Sequence, residues 1–321
     1  MTYKKKLYFL ITLIAVLVLL YSISLIINSD LGNRKESFSW VDPKSAEKIT
    51  NISVSTQMGE YEIFTRNNMW FVLHENNVYP ARQFRVHDFL DVLTTRSVWP
   101  VRSSSASTHE RFGLLASDDF FFMNSASRVT INTGNTVLLD LLLGDDDIYR
   151  NETYYRKFDQ NEVRSGNSGI KNYLNSPAST WFNLRLITAN DGSEIDLGNV
   201  QRFSVFNPEE TQVFARRNRE WIIEGIEEGT PDSHSIENYI RSILSIEGDS
   251  FTNSITHDDI AFEYSRMELQ LGNNVNNVIR INFTMGDETG RVFARVSGNE
   301  LIYSIPSWSA GRLYREIESF Y

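Results

Sequence analysis

An uncharged apolar stretch at residues 7–27, from Leu7 to Ile27, restricts this chain more than any other feature of its sequence. Three lysines at positions 4–6 precede it. A helix of this length would extend about 31 Å, close to the thickness of a bilayer hydrocarbon core. The run is longer than the apolar region of a cleaved signal peptide and ends without a small-x-small cleavage site. The pattern therefore predicts an uncleaved transmembrane signal-anchor over residues 7–27.

The charges around this stretch predict its orientation. Because the lysines precede the apolar run, the positive-inside bias places a short stub at 1–6 in the cytoplasm. Residues from 28 onward are then expected outside the cytoplasm of a bacterial cell, at its inner membrane. Residues 28–47 are polar and contain a glycine and a proline, which is typical of a linker. The first expected partner is thus the membrane itself, contacted by residues 7–27.

The composition excludes several classes of function. The formal net charge is −10, which argues against nucleic acid as a partner, since affinity for nucleic acid depends on neutralising phosphates. The same balance argues against broad contact with anionic lipid headgroups. The chain has no cysteine, so it has no disulfide, thiolate metal site or cysteine nucleophile.

Short β-branched and aromatic runs between turn signals indicate strands, and residues with a period of three to four indicate helices. In the first half we expect strands at 49–54, 60–66, 69–74, 127–133, 136–143, 152–158 and 161–164, with helices at 82–96 and 168–175. In the second half we expect strands at 200–206, 211–216, 220–223, 265–271, 277–285, 291–296 and 300–305, with a helix through 236–244 and a closing helix at 308–319.

The two halves resemble each other at a constant offset of 151 positions, which joins Trp70 to Trp221 and Pro80 to Pro231. Both tryptophans are expected in hydrophobic cores. Paired residues at one spacing, within the same order of elements, indicate a tandem duplication. The predicted fold class is therefore α+β, with an N-terminal transmembrane helix followed by two similar antiparallel-sheet-plus-helix domains at 48–187 and 198–321.

The order of motifs is similar to that of a known family. A strand meander that carries Trp70 leads to a helix, then to Phe-Gly-Leu at 112–114, then to strands that end in Leu-Gly-Asp at 143–145. This order resembles the domain-of-unknown-function family 4340. The resemblance implies tandem extracytoplasmic domains and supplies no catalytic residues. Because members are often encoded beside ABC-type export systems and gliding-motility auxiliary proteins, it also implies an accessory role, with membrane transporter subunits as partners.

Motifs that would carry a reaction are weak in this sequence. The five histidines include His109, but His109-Glu110 continues without the second histidine of a zinc-protease helix. The acidic cluster at 144–147 has consecutive acids after its glycine, unlike a calcium loop. We interpret this cluster as a solvated turn, with a weak divalent-cation site as the alternative. The Thr-His-Asp-Asp stretch at 256–259 has the same two interpretations.

Nucleotide and serine chemistry also lack their motifs. The stretch Gly-Asn-Ser-Gly at 166–169 is one residue short of a serine nucleophile elbow, and no glycine-rich phosphate loop occurs. A pair of carboxylates for glycoside hydrolysis leaves no sequence signature.

The sequence therefore assigns no catalytic, cofactor-binding or metal-binding residue and no cofactor. It favours a non-enzymatic, membrane-anchored accessory or interaction protein, auxiliary to an ABC-type export or motility complex. The first alternative is an envelope hydrolase acting on carbohydrate or peptidoglycan. The second is a periplasmic ligand- or peptide-binding module. The oligomeric state stays open.

Overall fold

The computed structural model describes residues 12–19, 21–22, 37–115, 126–189, 191–226, 229–252 and 262–321. All structural statements below refer to these stretches. The predicted turn at 256–259 lies outside them.

The N-terminal stretch differs from its prediction. Residues 12–19 and 21–22 are helical, while 7–11, 20 and 23–27 of the predicted span lie outside the described residues. Within the described stretches, no helix combines the length and apolarity that crossing a bilayer takes. The predictions of a signal-anchor over 7–27 and of a single-pass inner-membrane location are therefore wrong.

Strands dominate residues 37–181. In chain order they are β1 (Ser37–Phe38), β2 (Asn51–Thr56), β3 (Gly59–Arg66), β4 (Met69–His74), β5 (Asn77–Pro80), β6 (Ser97–Val98), β7 (Val101–Ser103), β8 (Ser127–Thr133), β9 (Thr136–Asp147), β10 (Glu152–Lys157) and β11 (Val163–Gly166). The helices are α1 (Pro43–Ala46), α2 (Gln83–Thr94) and α3 (Gly169–Leu174), and short 3₁₀ turns occur at Ala106–Thr108, Glu110–Phe112 and Ala178–Trp181.

The remainder of the chain has the same character. Its strands are β12 (Val200–Phe206), β13 (Thr211–Arg217), β14 (Glu220–Ile223), β15 (Ser250–Thr252), β16 (Ser265–Leu271), β17 (Val278–Phe283), β18 (Val292–Val296) and β19 (Ile302–Ile305). Its helices are α4 (Ser233–Leu244) and α5 (Ser307–Ala310), with 3₁₀ turns at Leu197–Asn199 and Ile317–Phe320.

These strands form three sheets. One sheet contains β1 and β6, a nine-stranded sheet has the order β5-β4-β3-β2-β8-β9-β10-β11-β7, and an eight-stranded sheet has the order β14-β13-β12-β16-β17-β18-β19-β15. The recorded pairings are all antiparallel, as in Ile52 with Ile63 and Phe203 with Leu269. The order of the eight-stranded sheet follows that of the larger sheet without β5.

Alternating burial explains why these sequences form sheets with one covered face. In β2 every second residue is buried, so Ile52 and Val54 lie in the core while Ser53 and Ser55 lie on the other face. The eight-stranded sheet buries its apolar residues against α4. Ile236 and Ile240 of α4 are fully buried, at the spacing of one face of a helix.

The described chain divides into two compact units. The first consists of Met1–Phe64 and His87–Pro177, and the second of Thr65–Val86 and Ala178–Tyr321. The predicted domain bounds at 48–187 and 198–321 stay a prediction.

The predicted fold class needs correction. The protein is mostly β-sheet rather than α+β, and the sheets are not duplicated as predicted, because the two large sheets have nine and eight strands and a third sheet has two. Strands of two or three residues, such as β1, β6 and β7, are too short to show a period in the sequence. The closing helix predicted at 308–319 is also wrong, since only α5 and a 3₁₀ turn form there.

Two motifs of the sequence are packed against each other. Gly113 has the left-handed φ of 64°, and a Cβ at this position would lie 2.6 Å from Cγ of Asp145. A Cβ at Gly144 would collide with the carbonyl oxygen of Phe112 and with Leu114. The Phe-Gly-Leu and Leu-Gly-Asp motifs thus each use a glycine to let the other approach.

Candidate functional site

The first unit contains a groove of about 700 Å³. We call it the amide groove because three asparagines line it. Its lining comes from three separate segments of the chain: the end of α2 with the following loop, the turn between β9 and β10, and the start of α3. The lining residues are Asp91, Val92, Thr95, Arg96, Ser97, Trp99, Asn151, Asn167, Ser168, Gly169 and Asn172.

The loop after α2 forms the first wall of the groove, and the short strand β1 is bonded to this loop. Ser37 and Phe38 pair with Val98 and Ser97 of β6. The guanidinium of Arg96 donates a hydrogen bond to the carbonyl oxygen of Ser37 at 2.7 Å. These bonds join β1 to the loop after α2, so the loop residues that face the groove have a fixed backbone.

The ring of Trp99 forms the base of this wall. Its indole N–H donates to the carbonyl oxygen of Phe38 at 3.1 Å. Its centroid lies 5.2 Å from that of Trp40 and 5.4 Å from that of Tyr155, in edge-to-face arrangements. The ring also lies directly on Gly166, where a Cβ would overlap its Cε3 and Cζ3 atoms. Trp99 is therefore 2% exposed although it lines a groove.

The turn between β9 and β10 forms the second wall and presents Asn151, whose φ is 52°. Asp147 fixes this turn, since one of its carboxylate oxygens accepts from the backbone N–H groups of Tyr149 and Arg150. The hydroxyl of Tyr154 donates to the other oxygen at 2.9 Å. The hydrogen bond from Tyr154, with the backbone bonds, lowers the pKa of Asp147 below its ordinary value. The turn is thus built around an ionised carboxylate.

The third wall is the segment between β11 and α3. The buried hydroxyl of Tyr155 donates to the carbonyl oxygen of Asn167 at 2.6 Å. The side-chain oxygen of Asn167 accepts from the N–H of Gly169 at 3.0 Å. The hydroxyl of Ser168 lies 2.9 Å from that of Thr153, which is completely buried. The position of these groups is therefore set by residues of β10 beneath them.

A second set of polar contacts supports this wall from below. Lys171 donates to the carbonyl oxygen of Gly144 at 2.8 Å and forms an ion pair with Asp146 at 3.0 Å. Asp146 in turn accepts from Thr153 at 2.6 Å. The start of α3 is thereby tied to the end of β9.

Glu152 directly follows the groove residue Asn151 in the sequence, but its carboxylate is engaged elsewhere. It accepts from Ser165 at 2.6 Å and pairs with Arg102 at 2.7 Å. Burial alone would raise the pKa of Glu152, yet the hydrogen bonds from Ser165 and Arg102 hold it below the ordinary value. Glu152 is therefore an ionised structural group and not a proton donor for a ligand.

The charges of the groove balance. Among the residues that line it, Asp91 carries the one carboxylate and Arg96 the one guanidinium. The other polar groups are amides and hydroxyls, which both donate and accept hydrogen bonds. Hydrolysis by paired carboxylates requires two of them about 5–9.5 Å apart across the bond. The described lining supplies one carboxylate, Asp91, together with side chains that can donate and accept hydrogen bonds.

The residues that the sequence singled out lie mostly in structural positions. Trp70 and Trp221 are 7% and 1% exposed, which confirms that both belong to cores. His109 is buried, with Nε2 3.0 Å from the carbonyl oxygen of Asn161. The stretch 166–169 ends β11 and begins α3, and three of its residues, 167–169, line the groove.

The acidic cluster at 144–147 is not the solvated turn predicted from the sequence. It forms the end of β9, and the turn follows at 148–151. Asp146 and Asp147 both have protein partners. Within the described stretches no group of three or more acidic or histidine side chains is arranged to hold a metal ion.

The sequence did not predict that one groove would bring together Asp91, Arg96, Asn151 and Asn172. They are spread over more than 80 positions, and no spacing rule joins a helix end to a distant hairpin turn. The one available signal was the polar loop composition at 166–169.

Comparison with known proteins gives one match. The family described as Domain of unknown function (DUF4340) matches residues 70–264, which is more than half of the chain. This match confirms the resemblance seen in the order of motifs. No curated protein and no solved structure matches the chain.

Replacing Gly166 by alanine should destabilise the protein. The added methyl group would occupy space held by the Trp99 ring, and overpacking of this kind costs about 1–3 kcal/mol in the free energy of unfolding. Urea unfolding followed by circular dichroism measures the effect. Gly286→Ala is the matched control, since a Cβ there meets its nearest atom at 3.7 Å. Equal unfolding midpoints for the two variants would contradict the packing of Trp99 on Gly166.

Proposed function

This chain belongs to the DUF4340 family, and we propose that it acts as a non-catalytic binding protein whose amide groove holds a neutral, hydroxyl-rich ligand of the carbohydrate class. The observation that carries the proposal is the lining of the groove. Three asparagines and three hydroxyl-bearing residues converge there from three segments, with a single acid and a single base.

The size and shape of the groove suit a ligand of several groups. Its volume of about 700 Å³ falls within the range of small-molecule sites in proteins. Amide and hydroxyl side chains recognise sugar hydroxyls because each partner can both donate and accept. Tyr149, fully exposed in the turn that presents Asn151, provides an aromatic ring at the same turn for stacking against a sugar face.

The electrostatics favour a neutral ligand over an ionic one. Asp91 and Arg96 offset each other within the lining. The protein as a whole is acidic, with a formal charge of −10, so anionic ligands are repelled at long range. A cationic ligand would find one carboxylate in the groove.

The lining supports binding better than hydrolysis. Asp91 is the one carboxylate among its residues, and the neighbouring Glu152 is held by Arg102 and Ser165. The hydrolase alternative needs a second carboxylate across the groove. We therefore rank a carbohydrate-binding role above it.

An accessory role beside an ABC-type export or motility complex is a further part of the proposal. Its support is the family resemblance and the absence of a nucleotide-binding motif in the sequence. Affinity purification of the tagged full-length protein from its native cells tests this role. We expect transporter subunits to be recovered with it, and recovery of the protein alone would contradict the accessory role.

Chitotetraose, a neutral oligosaccharide with hydroxyl and acetamido groups, is a suitable probe for the groove. We expect the protein to bind it in isothermal titration calorimetry. Asn172→Ala should weaken binding about 2- to 10-fold, since one hydrogen bond contributes about 0.5–1.5 kcal/mol. Asn175→Ala is the matched control, because Asn175 directly follows the end of the same helix, is exposed and does not line the groove.

Two results would contradict the proposed ligand class. One is the absence of measurable heat with chitotetraose for the unmodified protein. The other is equal weakening by Asn172→Ala and Asn175→Ala, which would place any binding outside the groove.

A further inference from the structure

The eight-stranded sheet of the second unit has a polar face that turns away from its core. Val205, Met267 and Ile281 are buried on the core side. The residues that alternate with them lie on the opposite face. Two rows of residues cross this face from strand to strand. The first row crosses four neighbouring strands through the direct partners Phe206, Arg266, Asn282 and Arg295. The next row consists of Ser204, Glu268 and Arg280.

We call this surface the arginine face, after Arg202, Arg266, Arg280 and Arg295. Side chains of the first three are 45%, 46% and 58% exposed, and Arg295 is exposed as well. The face therefore offers four guanidinium groups to solvent on one open surface of a sheet.

Acidic residues offset only part of this charge. Glu224 pairs with Arg202 at 2.7 Å. Glu268 lies 3.3 Å from Arg266 and 3.0 Å from Arg280, so these two arginines share one carboxylate. The described residues give Arg295 no ion pair. Glu263, which lines a groove together with Arg266, is a third carboxylate at this face, so one positive charge remains in excess on this face of a protein whose formal net charge is −10.

A groove of about 580 Å³ adjoins the row of Phe206 and Arg266, and its lining combines apolar side chains with polar ones, among them the carboxylate of Glu263. The guanidinium of Arg266 lies 4.4 Å above the ring of Phe206. Pro208 and Tyr264 also line this groove, and Tyr264 is 44% exposed. A cationic group thus lies at the edge of a surface that can cover an apolar side chain.

We propose that the arginine face is a docking surface for an acidic peptide segment of a partner protein, with one aromatic side chain of that segment in the groove beside Phe206. Carboxylates of the segment pair with Arg266, Arg280 and Arg295. Guanidinium groups suit this role because they bind carboxylates through two parallel hydrogen bonds.

The charge distribution favours a short acidic segment over a long polyanion. A nucleic acid or an anionic bilayer would meet the acidic remainder of the protein as well as this face. A short segment contacts the arginines and the groove alone. Arg266 and Arg280 both pair with the single carboxylate of Glu268. Each guanidinium group therefore keeps N–H donors that can bind a second carboxylate.

Fluorescence anisotropy with the full-length protein tests the proposal. The probe is a fluorescein-labelled peptide of alternating glutamate and glycine with one central phenylalanine. We expect binding that weakens at least 3-fold when sodium chloride is raised from about 50 to about 300 mM, because exposed charge pairs are screened. A peptide with glutamine in place of glutamate should bind at least 10-fold more weakly.

Variants separate this face from the rest of the protein. Arg295→Glu, at a position with no described ion pair to lose, should weaken binding of the acidic peptide at least 5-fold. The double variant R266Q/R280Q should weaken it at least 10-fold and keeps side chains of similar size. Lys48→Glu makes the same charge change as Arg295→Glu on an exposed residue of the first unit and should alter binding less than 2-fold.

Three outcomes would overturn the proposal. They are equal binding of the glutamate and glutamine peptides, equal effects of Arg295→Glu and Lys48→Glu, and binding of phosphatidylglycerol vesicles without binding of the acidic peptide. Circular dichroism of each variant, compared with that of the unmodified protein, shows whether a loss of binding arises from unfolding. Because chitotetraose binds a different unit, its affinity should stay unchanged in all three variants.

Discussion

The contact of the Trp99 ring with the backbone at Gly166 is the interaction on which the first unit's groove depends. The ring can lie there because residue 166 has no side chain. Trp40 and Tyr155 pack against the Trp99 ring, and the carbonyl oxygen of Phe38 accepts a hydrogen bond from its indole N–H. A single indole therefore joins the short strand β1, the loop after α2 and the end of β11. Without that contact the groove between these segments would lose one wall.

Polar groups then fix what the aromatic contact brings together. Tyr155 holds Asn167 by its hydroxyl, and Asp147 holds the turn that presents Asn151. The supporting carboxylates are bound to protein groups, so they stabilise the site without charging the ligand surface. The groups left facing the groove are mainly amides and hydroxyls. This division between charged support and a mainly uncharged lining is the basis on which we propose recognition of a neutral ligand by hydrogen bonds.

Much of the secondary structure could be predicted from the sequence, because alternation and helical period are local properties. Strands β8, β12, β14 and β16 have the predicted bounds, and helix α2 lies within its predicted range. The fold class could not be predicted, since strands of two or three residues, such as β1 and β7, carry no readable period. The anchor prediction rests on hydropathy alone, and within the described stretches no helix is long and apolar enough to cross a bilayer. The groove depends on contacts between distant segments, and a sequence without aligned relatives does not show such convergence.

Nuclear magnetic resonance of the full-length protein titrated with chitotetraose tests the central claim most directly. Side-chain amide signals of Asn151, Asn167 and Asn172 report on the three asparagines that give the groove its character. If the amide groove binds the oligosaccharide, these three signals shift together along one saturation curve, while the side-chain amide signal of Asn175 does not shift. Saturable shifts confined to other residues, or no shift of the three amides, would contradict the assignment of this groove as the binding site.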